Sequence, residues 1–524
     1  MPDLIGAGVI RHRRSCGPEP PAGPPCGPWR NRAAEKYREI LEKRSPEEMR
    51  TLAQVKRLLE RYQGDCEFRA KLTHDLDNLE GVARPYGIDI DPGQALPLFS
   101  PDHQRFGSAE GEDRWPLAKL WDDYLRDLQK ICEISQEAGG CAEANPRFHG
   151  WRQRQMQRCA SELGPVARHI THPVLAFELS AGCSVGCWFC GVSAERFEGN
   201  FLYTPENARL WHGMLKEAAD LFGPAVQQGF CYWATDPSDN PDYPKFLEDY
   251  YRVTGNLPQT TTAAPLKDLA WTRWIMRLFD KYRCVPNRFS ILTLRILNQV
   301  HATFTPVELM GVELVLHNRE ALQSKATAGR ARERAGRPTQ PRHDCSDAAQ
   351  TEYSTIACVS GFLVNTVRRT VQLIAPTRSS DRWPLGYRIF GERHFATPRE
   401  FRAALEDLIA VHMPENLTGS EMIGFRDDLL YQRSPGGFEL RSSNWRFNFD
   451  GTGAGLIGEL IHQGGRTVGE IEAEVARAGG NIFVAADTLQ KIFDRGLLSD
   501  DRGLERTELA QPWNDFVSIA AAAK

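Results

Sequence analysis

Cys183, Cys187 and Cys190 stand in the order C-x3-C-x2-C, the tightest grouping of cysteines in the sequence. Thiolates are soft ligands that suit zinc or iron–sulfur clusters. A structural zinc site takes a fourth Cys or His at similar spacing, and residues 180–201 hold none beyond these three. A [4Fe-4S] cluster is different, because three protein thiolates hold it and leave one iron without a protein ligand. Gly182 and Gly186, inside the same run, let the backbone turn closely around an inorganic core. Inert buried thiols are the competing reading of such residues.

The open iron of such a cluster chelates the amino and carboxylate groups of the methionine part of S-adenosylmethionine. The string from Glu178 to Ala194, Glu-Leu-Ser-Ala-Gly-Cys-Ser-Val-Gly-Cys-Trp-Phe-Cys-Gly-Val-Ser-Ala, resembles the cluster loop of radical S-adenosylmethionine enzymes. More narrowly it is similar to that of the peptide epimerases, of the polytheonamide type, that mature ribosomally made peptides. Ala234 to Tyr243, Ile356 to Asn365 and Asp381 to Pro384 extend the resemblance over about residues 30 to 430.

The resemblance implies two cofactors, a [4Fe-4S] cluster on Cys183, Cys187 and Cys190 and S-adenosylmethionine itself. An electron from an external donor such as flavodoxin or ferredoxin cleaves the sulfonium, and the 5'-deoxyadenosyl radical takes a hydrogen from the α-carbon of an L-residue. A new hydrogen then arrives from the opposite face and leaves a D-residue. The substrate is a ribosomally synthesised precursor peptide, leader plus core. Cys358, in Ala357-Cys-Val-Ser-Gly361, matches the thiol that returns the hydrogen, ahead of Cys231, Cys284 and Cys345.

In this superfamily the second strand usually ends in Gly-Gly-Glu-Pro, whose backbone meets the methionine amino group. Here the place reads Ala234-Thr-Asp-Pro237, so the glycines are absent and Thr235 and Asp236 are the acceptors on offer. Asp-Pro is also an ordinary turn initiator. Thr260, Thr261 and Thr262, Ser290 and Arg295 stand at strand ends, where side chains reach ribose or carboxylate groups. Phe189, beside Trp188, matches the aromatic residue that shields the cluster and flanks adenine, a role that packing explains equally well.

The elements that position these residues follow from periodicity. After His172-Pro173, short apolar runs alternate with helical stretches, the pattern of a parallel sheet. Strands are expected near 174–179, 229–235, 259–263, 288–293 and 312–317, with helices over 208–222, 244–254, 266–281 and 294–304. The expected fold is α/β: a partial (β/α) TIM-like barrel of the radical S-adenosylmethionine type over residues 166–433, with a mobile, arginine-rich loop at 321–350. The apolar spacing of Phe362 to Ile374 reads as helical.

Residues 29–165 read as a helical region, with one amphipathic stretch from Arg32 to about Leu79, and helices over 117–138 and 146–163. Ser45-Pro-Glu-Glu48 supplies a cap, a first-turn proline and an acid three residues on. Residues 434–510 read as a small α+β winged-helix-like module, and Phe447 to Leu456 with Gly465 to Ile471 resembles the leader-binding modules of the PqqD-like type. An edge strand near 440–448 is the expected docking site for a leader, by strand addition. Residues 1–28, rich in Pro and Gly, and 511–524 read as tails, the first disordered.

Composition narrows the class. The net charge of -4, 41% apolar and 25% charged residues describe an ordinary globular chain without general affinity for nucleic acid. Its apolar runs are far shorter than the roughly 20 residues of a membrane span. Thirteen cysteines, three of them clustered, fit metal binding in a reducing compartment, and cytoplasmic residence is the default. Two other functions compete: a radical enzyme that forms thioether crosslinks, and a non-catalytic leader-binding or electron-transfer protein.

Overall fold

The computed structural model describes residues 29–103, 114–285, 287–322, 327–335 and 355–499. The tails expected at 1–28 and 511–524 lie outside the described residues. The expected single amphipathic stretch is broken into α1 (Arg32–Glu42), α2 (Pro46–Gly64), α3 (Cys66–His74) and α4 (Leu79–Ala83). Local capping decides the breaks. Ser45 and Glu48 close a reciprocal capping box on α2, and Asp65 accepts from the amides of Glu67 and Phe68 to start α3. Two longer helices follow, α5 (Pro116–Ala138) and α6 (Pro146–Leu163).

The central sheet begins with β1 (Leu175–Glu178), whose four residues are all buried. The short strands β2 (Ser180–Ala181) and β3 (Gly199–Asn200) pair with each other. Then come α7 (Pro205–Phe222), α8 (Tyr243–Thr254), β4 (Thr260–Thr262), α9 (Leu269–Tyr282), β5 (Asn287–Ile291), α10 (Leu294–Thr303) and β6 (Val312–Leu316). β4, β5 and β6 pair in parallel. The strand expected at 229–235 is reduced to parallel bridges of Phe230 to Ala176 and to Gln259, which link β1 to the β4 side. Among the described residues β6 pairs with β5 and with no second strand. Trp211 and Phe222 on α7 and Phe246 on α8, all fully buried, fill the core beneath β1.

A short helix, α11 (Gly329–Ala335), lies inside the segment expected to be a loop. The helix expected over 362–374 is instead a hairpin of β7 (Gly361–Asn365) and β8 (Thr370–Pro376), with β9 (Tyr387–His394) beyond it. β7 pairs in parallel with β1, Leu175 opposite Phe362, and is buried along its whole length. A strand buried on both faces carries an uninterrupted apolar run, which spacing alone does not separate from a buried helix. Asn365 makes the reversal by accepting from the amides of Val367 and Arg368. α12 (Pro398–His412) then packs under the sheet.

The feet of β1 and β7 are tied by His172, whose Nδ1 lies 2.8 Å from Ser360 Oγ and whose carbonyl accepts from Arg152 Nε at 2.7 Å. Burial, then the Arg152 charge, holds this imidazole down at about 3. Below its ordinary value of about 6.5 the unfolded chain takes up a proton that the fold refuses, so this contribution is intact at neutral pH. It drains away as pH falls toward 3, by an amount on the order of 4 kcal/mol. In urea titrations the His172→Gln variant is expected to lose less stability than the parent between pH 7 and pH 4. Parallel losses would remove His172 as the source.

Beyond α12, β10 (Met422–Ile423) precedes a meander of β11 (Leu430–Ser434), β12 (Gly437–Arg441) and β13 (Arg446–Asp450). The chain continues through α13 (Ala454–Gln463), β14 (Arg466–Thr467), which pairs with β10, α14 (Val468–Arg477) and α15 (Ile482–Asp494). Ile423, Leu429, Phe438 and Ile457 share one core, so the module starts before the boundary expected at 434. Leu440 lies on the central strand; the edges are β11 and β13, not the whole of 440–448. No helix among the described residues is long and apolar enough to cross a membrane.

A candidate active site at the cysteine loop

The three cysteines sit on the loop that leaves β2 and returns as β3. Its entry is forced by Gly182, at φ +70°, where a Cβ would stand 2.1 Å from the carbonyl oxygen of Arg196. The amide of Cys183 donates to Glu195 O at 2.9 Å, and the amide of Ser184 donates to Asp239 Oδ2 at 2.9 Å. Asp239 is held in turn by Lys267 Nζ at 3.0 Å, so the loop is fastened to the turn before α8 and to the loop after β4.

All three thiols are half-buried. Burial pushes Cys183 up to about 11, against amides of Val185 and Gly186 that favour its thiolate. Cys187 is pushed up to about 12 by burial, then by Cys183 and Cys190, which places the three sulfurs in one neighbourhood. The amide of Ala194 donates to Cys190 Sγ at 3.3 Å. Three thiols on one loop, two of them with backbone amides aimed at the sulfur, are a donor set that fits an iron–sulfur cluster. Among the described residues no three His, Cys, Asp or Glu side chains are grouped to hold a metal ion. A lone tetrahedral zinc, with Zn–S about 2.3 Å, draws its thiolates to about 4 Å apart, while a cubane seats each on a different iron.

The stretches that carry the sequence resemblance gather round this loop. Ile356 packs on Gly191, where a Cβ would meet its side chain at 2.9 Å. Cys358 and Cys190 border the same buried cluster of Ala176, Val192, Phe230 and Leu363. Cys358 is half-buried by area, yet crowded enough that burial raises its thiol, while the Arg288 guanidinium pulls the other way. Cys231 and Cys284 are fully buried, and Cys345 lies outside the described residues.

The basic segment contributes as well. Gly329, at φ +54°, presses on the carbonyls of Cys190 and Gly191, its amide donates to Pro384 O at 2.8 Å, and the amide of Arg330 donates to Cys190 O at 3.0 Å. The Arg330 guanidinium reaches Ala194 O at 2.8 Å. This part of the segment is therefore docked and not loose, because Arg330 finds carbonyls in the cysteine loop and Arg332 pairs with Asp381 at 2.6 Å.

Other expected residues divide. Phe189 sits over the His317 ring, centroids 4.8 Å apart. Thr235 and Asp236 are buried, but Asp236 is occupied: it accepts from Thr262 Oγ1 at 2.8 Å, Ala263 N at 2.7 Å and Ser238 N at 2.9 Å. It thus ties this turn to the end of β4 and starts the turn, as Asp-Pro does generally. Ser290 is half-buried and alternates with the buried Phe289 and Ile291, so it shares a face with Arg288, which pairs with Glu313 at 2.6 Å. Arg295 is exposed on the first turn of α10 and makes no hydrogen bond or ion pair among the described residues.

Sequence reasoning passed over Asp239, His317 and Arg330, and also Glu178. The Glu178 carboxylate is buried at the end of β1 and accepts from Ala234 N at 2.7 Å and Asn365 Nδ2 at 2.9 Å, with burial raising its pKa. The available signal was an acid ending a wholly apolar strand, a placement that demands partners.

Among known proteins, the chain is 44% identical over 467 residues to the uncharacterized protein y4wI of Sinorhizobium fredii (strain NBRC 101917 / NGR234), covering 89% of this chain and 91% of that one. The chain belongs to the y4wI family. The family described as the y4wI C-terminal domain matches residues 423–496, the span of the module's own core. No solved structure matches.

In this y4wI-family chain the module is seated on α6: Arg426 Nη2 donates to Ser161 Oγ at 3.1 Å and Trp445 Nε1 to Ala160 O at 3.0 Å. The cysteine loop carries its own stability test. Gly182→Ala is expected to cost at least about 2 kcal/mol in urea unfolding, since an L side chain resists positive φ and its Cβ meets backbone. A loss within about 0.5 kcal/mol, typical of neutral surface changes, would contradict that geometry.

Proposed function

We propose that this y4wI-family protein is a radical S-adenosylmethionine epimerase, converting L-residues of a ribosomally made precursor peptide to D-residues on a partial (β/α) barrel. The observation that carries the reading is the C-x3-C-x2-C loop with a further half-buried thiol, Cys358, bordering the same buried cluster as Cys190. When bound, a [4Fe-4S] cluster and S-adenosylmethionine supply one-electron chemistry that removes a hydrogen atom. Cys183, Cys187 and Cys190 are the residues that would hold the cluster. Asp239, Arg330 and Ile356 fix the loop that carries them, and Phe189 with His317 offers a flat aromatic surface.

Cys358 gives its thiol hydrogen to the substrate α-carbon from the face opposite abstraction, and an external donor such as flavodoxin or ferredoxin, with a proton from water, restores the S–H. Its partial exposure distinguishes it from Cys231 and Cys284, which no substrate reaches. The module at 423–496 offers the edge strands β11 and β13 for a leader peptide. A crosslinking enzyme of this class often carries further clusters near its carboxyl terminus, and no cysteine follows Cys358.

Anaerobic reconstitution of the full chain is expected to load about four iron and four sulfide and to release 5'-deoxyadenosine on reduction. Co-expression with a precursor peptide in deuterated water is then expected to add about one mass unit per D-residue, since a thiol exchanges its hydrogen with solvent. No cubane, or no 5'-deoxyadenosine, rejects the reading; crosslinks without deuterium gain favour the thioether-forming alternative.

A further inference from the structure

Arg288 on β5 stands between Thr261 of β4 and Glu313 of β6 in the register of the parallel sheet. Its neighbours Phe289 and Ile291 turn to the other face and pack with Leu297 and Val300 of α10, so Arg288 and Glu313 face away from that helix. Cys358 lies on the same side. Tyr232 borders the same buried cluster as Cys358, and its hydroxyl meets the side chain of Gln259, which shares a face with Thr261 two residues on. The charges agree with this placement: burial raises the Cys358 thiol and Arg288 opposes it, while burial works against the Arg288 charge and Glu313, Tyr232 and Cys358 more than offset that.

The ion pair leaves part of each partner unused. Arg288 Nε donates to Glu313 Oε2 at 2.6 Å, whereas neither Arg288 Nη nor Glu313 Oε1 makes a hydrogen bond among the described residues. The two side chains keep 32% and 53% of their surface open, and the Arg288 nitrogens are not sealed from solvent. A charged donor and a charged acceptor side by side complement the C=O and N–H of a peptide backbone. A thiol that hands a hydrogen to an α-carbon must come within about 3.5 Å of it. Groups beside that thiol therefore meet the carbonyl and the amide bonded to the same α-carbon.

We infer that the Arg288–Glu313 pair holds the substrate backbone at Cys358, a free Nη donating to the carbonyl of the residue presented to the thiol and Glu313 Oε1 accepting from its amide N–H. The inference rests on the peptide reading of the cysteine loop and adds two residues to it.

Iodoacetamide labelling of Cys358 in the full chain, followed by peptide mass mapping, tests it with acetyl-trialanine methylamide as the probe. Acetyl-trisarcosine dimethylamide, which has carbonyls but no N–H, is the control. Two hydrogen bonds to charged groups sustain millimolar affinity, so about 10 mM trialanine is expected to slow labelling at least about threefold, and trisarcosine less than about twofold. Arg288→Lys keeps a charge opposite Glu313 but loses the fork, and is expected to lose the protection with an unchanged urea midpoint. Glu313→Ala, at an exposed side chain, is expected to lose it as well. With a precursor peptide, Arg288→Lys is expected to form about tenfold fewer D-residues while 5'-deoxyadenosine release continues. Release of 5'-deoxyadenosine by the parent without peptide protection of Cys358 overturns the inference and leaves the radical reading standing. Protection without 5'-deoxyadenosine supports a peptide site here and rejects that reading. The inference also fails if Cys358 is inert to iodoacetamide or if Arg288→Lys is protected as the parent is.

Discussion

Any one of Cys183→Ala, Cys187→Ala and Cys190→Ala is expected to bring 5'-deoxyadenosine release down to background and to lower the iron retained after reconstitution. On the proposed reading two thiolates would hold a cubane poorly, and a cluster seated askew would no longer present its open corner to the sulfonium. The loss is expected to be one of chemistry and not of folding. The three side chains are half-buried, and the loop is anchored by Asp239 and the Gly182 turn rather than by the sulfurs. Urea unfolding of each variant is therefore expected to stay within about 1 kcal/mol of the parent, the common size of a single substitution. Cys132→Ala, on the exposed face of α5, is the matched control and is expected to change neither readout. Full 5'-deoxyadenosine release from any of the three loop variants would end the cluster assignment.

The second large effect is expected at Cys358. Cys358→Ala should keep 5'-deoxyadenosine formation near the parent level while D-residues and the deuterium mass gain fall to background. On the proposed reading the two readouts separate, because abstraction and return of hydrogen would occur on opposite faces of the α-carbon and only the return would use this thiol. Cys358→Ser makes the test sharper: it keeps size and exposure but replaces a weak S–H bond with a strong O–H bond, so the loss is expected to persist. Cys231→Ala is the contrasting case, since a fully buried thiol contributes packing and its removal is expected to lower stability without altering the product. D-residue formation at the parent rate in Cys358→Ala would remove the thiol from the mechanism, even with the cluster intact.

Much of the local structure was legible along the chain. Ser45 and Glu48 announced the start of α2 three residues apart, because a capping box is closed within a single turn. The parallel strands near Thr260, Phe289 and Leu314 were readable as short apolar runs between helices. The failures share a cause. Phe362 to Ile374 is apolar on both faces, so its period carries no information, and only pairing with β1 makes the first half a strand. The basic stretch around Arg330 lacks large apolar side chains and so looks unable to fold. It is held by backbone carbonyls of another segment, which leave no trace in its own composition.

The candidate site divides along the same line. The type and spacing of Cys183, Cys187 and Cys190 needed nothing beyond their own eight residues, because that spacing puts all three thiols on one short loop whatever surrounds it. Which other side chains stand around them was settled by the packing of distant segments: Asp239 and Arg330 come to the loop from 55 and 136 residues away, Asp239 accepting from Ser184 and Arg330 donating to loop carbonyls. Such meetings depend on the register of parallel strands and on what each buried polar atom finds when the sheet closes over it, and neither has a period that a one-dimensional string can display.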